Sequence, residues 1–382
     1  MYFYKKTEIF LFVMLVTLLT GCGGGSGDSS TQAVGDSSTQ AVVDTSIQVE
    51  ETLLVSKVMQ QGHITDSVTG EALANVEVRI GSQTVTSDID GFYTLYNLTE
   101  TEEAVINFEK EGYLLGSTKI QIKELSEDNT PSINYLEYSM YAHDYQWNHD
   151  STEEILSSRI AIDAAVSYIQ SKGSPYIGTM EVGLTILDHD ESALLNNFPG
   201  AFEGINSNGQ MVPFVSYGLI SLSLKDNNGN LLNLTDDTRA TLTFNAGSSL
   251  VEENIIPLWY YDYEQGLWIE EGYAELQEDG TYKGDVSHSG TWSLNIPIET
   301  DPGIYRGRIV FEDGTPATEV RINAMGDNWI SSDLSTDEDG TFEIKVIPGE
   351  SFKLKAYNYK DKYEANYNGL IPAIDSGKII ES

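Results

Sequence analysis

Cysteine, positive charge and long apolar runs are all scarce in this 382-residue chain. It has a single cysteine, Cys22, so no internal disulfide can form. Only 21 basic side chains stand against 59 acidic ones, a formal net charge of −38. A field of that sign repels nucleic acid and anionic head groups, which excludes DNA and RNA as partners, and it attracts divalent cations. The apolar run from Ile9 to Leu19 is eleven residues long and is interrupted by Thr17. That is too short to cross a hydrocarbon core of about 30 Å. The sequence also has no HExxH pair, no glycine-rich phosphate loop and no G-x-S-x-G turn. Its histidines number five. The expectation is a protein that is not an enzyme and holds no cofactor, calcium being the one ion left open.

The N-terminus carries an export signal. Lys5 and Lys6 precede the apolar run, and Leu19-Thr20-Gly21-Cys22 follows at its end. This pattern resembles the lipobox of bacterial lipoproteins. The resemblance implies that residues 1–21 are a signal peptide and that Cys22 is the lipidation site, the membrane being a partner through acyl chains of the palmitate class. Two or more such chains anchor stably where one does not. Gly23, in place of an aspartate after the cysteine, implies sorting to the outer membrane. Residues 22–57 are rich in Gly, Ser, Asp and Thr, and Gly27–Val34 is repeated as Gly35–Val42. Such composition cannot offset its chain entropy, so a disordered tether reaching roughly 30 Å is expected.

Beyond the tether the pattern is β throughout. Val76-Glu77-Val78-Arg79-Ile80 alternates, and Thr86-Ser87-Asp88-Ile89-Asp90-Gly91-Phe92-Tyr93 reads as a turn followed by a strand. With Thr65-Asp66-Ser67-Val68-Thr69-Gly70 before them and Lys110-Glu111-Gly112-Tyr113 after, these residues resemble the carboxypeptidase regulatory-like (transthyretin-like) β-sandwich. That family's motifs are structural, and its module has no peptidase activity. A second copy is legible near the C-terminus. Arg306-Gly307-Arg308-Ile309-Val310 matches Gln61-Gly62-His63-Ile64-Thr65, and Asp337-Glu338-Asp339-Gly340 matches the Asp88 turn. The second copy departs in its early turn, which reads Glu312-Asp313-Gly314-Thr315-Pro316.

Between the copies, Leu219-Ile220-Ser221-Leu222-Ser223-Leu224 and Ala240-Thr241-Leu242-Thr243-Phe244 alternate around the turn Asp226-Asn227-Asn228-Gly229. Pro257-Leu258-Trp259-Tyr260-Tyr261-Asp262 then leads to Gly266-Leu267-Trp268-Ile269-Glu270-Glu271-Gly272 and Val286-Ser287-His288. This order, with Phe198-Pro199-Gly200, resembles the extracellular β domain of cartilage-intermediate-layer-type proteins. The expected fold class is all-β: three consecutive β-sandwich modules at 58–138, 139–298 and 299–382. Residues 153–170 have a helix-like composition, but Arg159–Asp163 alternates, so strands are expected there.

Three groups of side chains are candidates for chemistry. Asp88 with Asp90, and Asp337 with Asp339, are candidate calcium ligands, since hard cations want several oxygens at short spacing; turn-forming hydrogen bonds are the competing reading. Trp259, Tyr260 and Tyr263 are a candidate ligand-binding platform for stacking sugars, against packing in the core. His143 and His149 are six residues apart, which on a strand puts them on one face and makes a transition-metal site conceivable. His288 reads as a structural residue of the sandwich. The expectation is a lipid-anchored outer-membrane lipoprotein, on the cell surface or the periplasmic face. It would act in adhesion or in binding a glycan or an envelope protein. The alternatives are a periplasmic scaffold or accessory protein of an envelope complex and, more remotely, an enzyme using His143 and His149.

Overall fold

The computed structural model describes residues 2–3 and 58–381, except 125–130, 165–167, 171–172, 189–191, 246–252, 299, 312, 319, 327–328, 330, 332–333, 359–362 and 367–369. The apolar core of the signal peptide, Cys22 and the tether lie outside the described residues. Apart from one short helix, Ser192–Asn197, the regular elements described are strands. Tyr2–Phe3 pairs in parallel with Val310–Phe311.

Val58–Asp66 buries every second residue, because its Val, Ile and Gly positions recur with the two-residue period of a strand. It is the middle strand of three, antiparallel to Phe92–Leu95 and parallel to Ser132–Met140. A second sheet runs Gln83–Thr86, Glu77–Ile80, Thr101–Glu109, Gly116–Ile122. Ile64, Tyr93, Leu95 and Leu136 of the first sheet meet Val78, Ile106, Phe108 and Ile120 of the second in one apolar cluster.

The C-terminal strands repeat that arrangement element for element. Gly303–Arg308 is antiparallel to Thr341–Val346 and parallel to Ile379–Glu381. The second sheet runs Leu334–Ser335, Arg321–Met325, Lys353–Asn358, Tyr363–Asn366. The likeness extends to single hydrogen bonds. Ser87 Oγ accepts from Val76 N at 2.9 Å and donates to Leu73 O at 2.7 Å. Thr336 Oγ1 does the same with Val320 N at 3.0 Å and Ala317 O at 2.7 Å. The divergent early turn proves to be one residue shorter. Its closing bridge is Val310 to Pro316, where the first copy bridges Thr65 to Ala72.

The central region holds an eleven-stranded sheet. Its order is Ile155–Leu156, Ile160–Ile162, Ala240–Phe244, Tyr282–Val286, Leu267–Leu276, Ile255–Asp262, Gly290–Pro297, Met211–Asp226, Thr179–Asp188, Tyr145–Asp150, with Glu203–Ile205 paired beside it. A small sheet of Pro175–Tyr176, Tyr168–Gln170 and Leu232–Leu234 completes it. Residues 153–170 thus contribute strands, as the alternation implies. The core holds Trp259, Trp268, Trp292, Phe214 and Phe244. The same cluster continues into the third module through Val320, Ile344 and Phe352.

The first module is joined to the central sheet by buried polar groups. An alternating strand is normally half-exposed, yet Ser221 is buried just as Ile220 and Leu222 are. Ser221 Oγ bonds Thr291 Oγ1 at 2.9 Å, Thr291 Oγ1 bonds the Tyr263 hydroxyl at 2.8 Å, and that hydroxyl donates to Leu115 O of the first module at 3.0 Å. Tyr261 donates to Ser117 Oγ at 3.1 Å, and Asn107 Nδ2 donates to Tyr263 O at 2.9 Å. Leu114, before the strand Gly116–Ile122, sits in the central core. The ion pairs Lys225–Glu109 and Arg79–Glu264 lie at the margin.

Gly91 and Gly340 adopt φ of 80° and 73°. A Cβ there would lie 2.5 Å from Ile64 O and 2.4 Å from Ile309 O. Gly91→Ala and Gly340→Ala are each expected to lower the unfolding free energy measured by urea titration by about 2 kcal/mol or more, through strain and backbone collision. A loss below a few tenths of a kcal/mol would refute the equivalence of the two turns.

Candidate functional site

The aspartate turns are built from local hydrogen bonds. Asp88 Oδ1 accepts from Asp90 N at 3.0 Å and Phe92 N at 2.8 Å. Asp337 Oδ1 accepts from Asp339 N at 3.0 Å and Thr341 N at 2.8 Å. The Thr341 hydroxyl and these amides hold the Asp337 carboxyl below its usual range. Asp90 and Asp339 point outward at the turn tips. Among the described residues no three His, Cys, Asp or Glu side chains are grouped to hold a metal ion. Turn hydrogen bonding accounts for Asp88 and Asp337.

The expected platform of Trp259, Tyr260 and Tyr263 is not assembled. Trp259 is buried in the core and donates Nε1 to Asn295 O at 3.1 Å. Tyr263 is committed to the junction, where burial pushes its phenol upward. Neighbouring strand residues point to opposite faces, and the Asp262–Gly266 turn carries Tyr263 toward the first module. Phe198-Pro199-Gly200 locks this corner: Phe198 stacks on Trp268, Trp268 Nε1 donates to Pro199 O at 2.9 Å, and Gly200 N donates to Ser117 O at 3.0 Å. Tyr260 is half-buried, paired with Trp292 and on the same face of its strand as Leu258.

His143 and His149 are engaged separately. His143 lies at the junction, with its Nδ1 2.8 Å from Thr185 Oγ1 and its ring over Gly183. His149 donates Nε2 to Glu153 O at 3.1 Å at an exposed position. Burial, and then the charge of Lys225, push the His143 pKa down from 6.5 to about 4.

The side chains around Tyr260 converge. His288 Nδ1 lies 2.7 Å from Ser289 O. A carbonyl only accepts, so Nδ1 carries the hydrogen and the neutral ring leaves Nε2 as an acceptor. That Nε2 faces Glu271 Oε2 at 3.9 Å, with side chains 27% and 43% exposed. Ser287 Oγ donates to Glu271 Oε1 at 2.6 Å. The His288 ring is held edge-on to Tyr260 and tilted against Trp292, their centroids at 4.9 Å and 4.7 Å. Burial, with Asp262 and Glu271 adding to it, raises the Tyr260 pKa, so its hydroxyl stays a donor at neutral pH. Along Leu267–Leu276, Tyr273 lies two residues beyond Glu271, 56% exposed. Sequence reasoning missed Glu271, Ser287 and Tyr273. No local signal marked them, because a register shift breaks the parity of Leu267–Leu276 between Glu270 and Tyr273.

No protein-family model matches the chain. Human cartilage intermediate layer protein 1 is 22% identical over 269 residues, 62% of this chain. The chain spans 22% of the length of that protein. Among solved structures, the Bacillus anthracis TIE protein aligns at a TM-score of 0.20 and 12% identity, covering 85% of this chain and 50% of that one. The Bacillus cereus major pilin subunit BcpA aligns at 0.18 and 11%, covering 85% and 97%. A putative membrane-associated protein of unknown function from Bacteroides fragilis aligns at 0.19 and 8%, covering 63% and 98%. Scores this low establish no common fold. Among the described residues no helix is long and apolar enough to cross a membrane.

The unfolded chain protonates His143 near 6.5, and the folded chain only near about 4. The folded pKa is the lower one, so this stability is complete above 6.5 and is lost as the pH falls toward about 4. The total is at most about 3 kcal/mol. His143→Gln should flatten that limb of a plot of urea midpoint against pH; an unaltered limb would rule out His143 as its origin.

Proposed function

We propose that this chain is a non-catalytic binding protein of the bacterial envelope, held by acyl chains on Cys22 and displaying its β modules beyond a flexible tether. The observation that carries the reading is the outer face of the central sheet. It leaves Ile255 and Tyr273 exposed at 55% and 56%, with Glu271 two residues from Tyr273 on the same strand. Isolated apolar residues on a surface are ordinary, whereas aromatic and polar groups gathered on one rigid face suit recognition. The flanking modules share a core or a hydrogen-bonded junction with this sheet, so the face is presented on a stiff body. A stiff scaffold lowers the ordering cost of binding. The lipobox resemblance supports the anchor.

The anchor and the orientation have separate readouts. Cys22→Ala is expected to abolish incorporation of labelled palmitate and to release the protein from the membrane fraction; retained label would refute the anchor. Protease added to intact cells should remove residues 58–382. Protection until the outer membrane is opened would overturn surface display and make the periplasmic scaffold the working reading.

A further inference from the structure

We propose that the third module has a strand-acceptor lane beside Val310, which in the mature chain takes an extended segment of another protein as a parallel strand. The lane lies outside the central sheet. Its opening rests on the reading above for one point, the removal of residues 1–21 as a signal peptide.

The two flanking modules show what the lane holds. In the first, Val58–Asp66 is paired in parallel along its whole length, from Val58 with Ser132 to Asp66 with Met140. In the third, the equivalent parallel pairing runs from Ile304 with Ile379 to Arg306 with Glu381. Val310 and Phe311 stand where Thr65 and Asp66 stand in the first copy, and their parallel partners are Tyr2 and Phe3. Tyr2 and Phe3 thus take the register positions of Ser139 and Met140. They also lie against Tyr363–Asn366, the last strand of the second sheet. In the first copy Tyr138 lies against the last strand of its own second sheet, where Ser117 N donates to the Tyr138 hydroxyl at 3.1 Å.

The backbone of Val310 is turned toward this lane. Ile309 N donates to Gly340 O at 2.8 Å, and Phe311 N donates to Thr315 O at 2.9 Å. Successive residues of a strand direct their peptide groups to opposite sides, so Val310 directs its N–H and C=O to the lane. The first copy has the same alternation. Ile64 N donates to Gly91 O and Asp66 N to Glu71 O, and Thr65 is registered with Ser139.

The strand in the lane of the first copy also closes its core. Leu136 and Met140 are buried there, and the Tyr138 ring stacks on Phe108. Removing residues 1–21 takes Tyr2–Phe3 away and leaves the edge at Val310 open. An open edge is a template for a further strand, with main-chain hydrogen bonds giving affinity and alternate side chains giving selectivity. The occupant selected is an extended peptide with apolar residues at alternate positions, as at Leu136, Tyr138 and Met140. The net charge of −38 repels a second copy of this chain, so the occupant comes from a different protein.

The test uses the mature protein, purified from membranes in detergent, with its N-terminus established by mass spectrometry. The probe is a labelled synthetic peptide with the sequence of residues 132–141. Saturable binding is expected, weakened about tenfold or more by Val310→Pro, which removes the amide donor. Hydrogen exchange at the Val310 amide, which needs no variant, should slow about tenfold or more when the peptide is added. A Val310 amide already protected without peptide overturns the inference by showing a filled lane. Peptide binding that survives Val310→Pro, or equal binding of a scrambled peptide, overturns the site. Self-association abolished by Val310→Pro overturns the choice of occupant in favour of a second copy. No peptide binding by a protein that still attaches to cells overturns the inference and leaves the binding reading standing. Residues 1–21 retained in the isolated protein overturn both the open lane and the lipid anchor.

Discussion

The Tyr263 hydroxyl, held between Thr291 of the central sheet and the backbone of Leu115, is the contact on which the arrangement of the first two modules depends. A phenol withdrawn from water without partners costs several kcal/mol, so the two modules must stay in register to satisfy it. Around it Ser221, Ser117, Thr185 and Asn107 offer small polar groups instead of apolar bulk. Small side chains let the strands of one module approach the sheet of the other. Their hydrogen bonds are directional, so the docking angle is fixed more sharply than an apolar contact would fix it. The third module is attached by different means, sharing one continuous apolar core with the central sheet. One chain thus uses two kinds of junction around the same sheet.

The two flanking modules are equivalent at the level of individual atoms. Each places a hydroxyl, Ser87 or Thr336, in the same bridge between two backbone segments. Each follows it with an aspartate that caps its own turn and a glycine whose missing Cβ lets a carbonyl approach. The conformational demand is strict at these points and loose elsewhere. The outer face of the three-stranded sheet shows the looseness. In the first module it carries His63 tilted against Phe92; in the third it carries Arg306 bound to Glu343 and Glu381. Backbone constraints hold the fold while the exposed residues vary.

Most of the fold was legible because it rests on period and turn chemistry. Alternation at Val76–Ile80 and Ala240–Phe244, and the Asp-x-Asp-Gly turns, are local signals that the strands obey. The strand at Leu219–Leu224 shows the limit of such reading. Its serines mark one face as polar, but polarity alone does not say whether water or another module lies against it. The aromatic run at Trp259–Tyr263 shows a second limit. Four aromatic rings in five residues must be divided between faces, and a β-irregularity between Pro257 and Trp259 together with the turn after Asp262 decides that division. Trp259 goes to the core, Tyr263 to the junction and Tyr260 beside Trp292 and His288. Glu271 and His288 lie 17 positions apart in sequence and meet only through the pairing of their strands, which no short motif records.

The place where the chain enters the first module has a mechanical consequence. Val58 begins a strand paired along its whole length with Ser132–Met140 in parallel and with Phe92–Leu95 on its other side. Tension arriving at Val58 is directed along the strand axis, so it strains a row of hydrogen bonds together instead of opening them in succession. Resistance to such a pull is set by the rate of unfolding and not by equilibrium stability. A parallel ladder of this length at the point of attachment makes the first module suited to carry load.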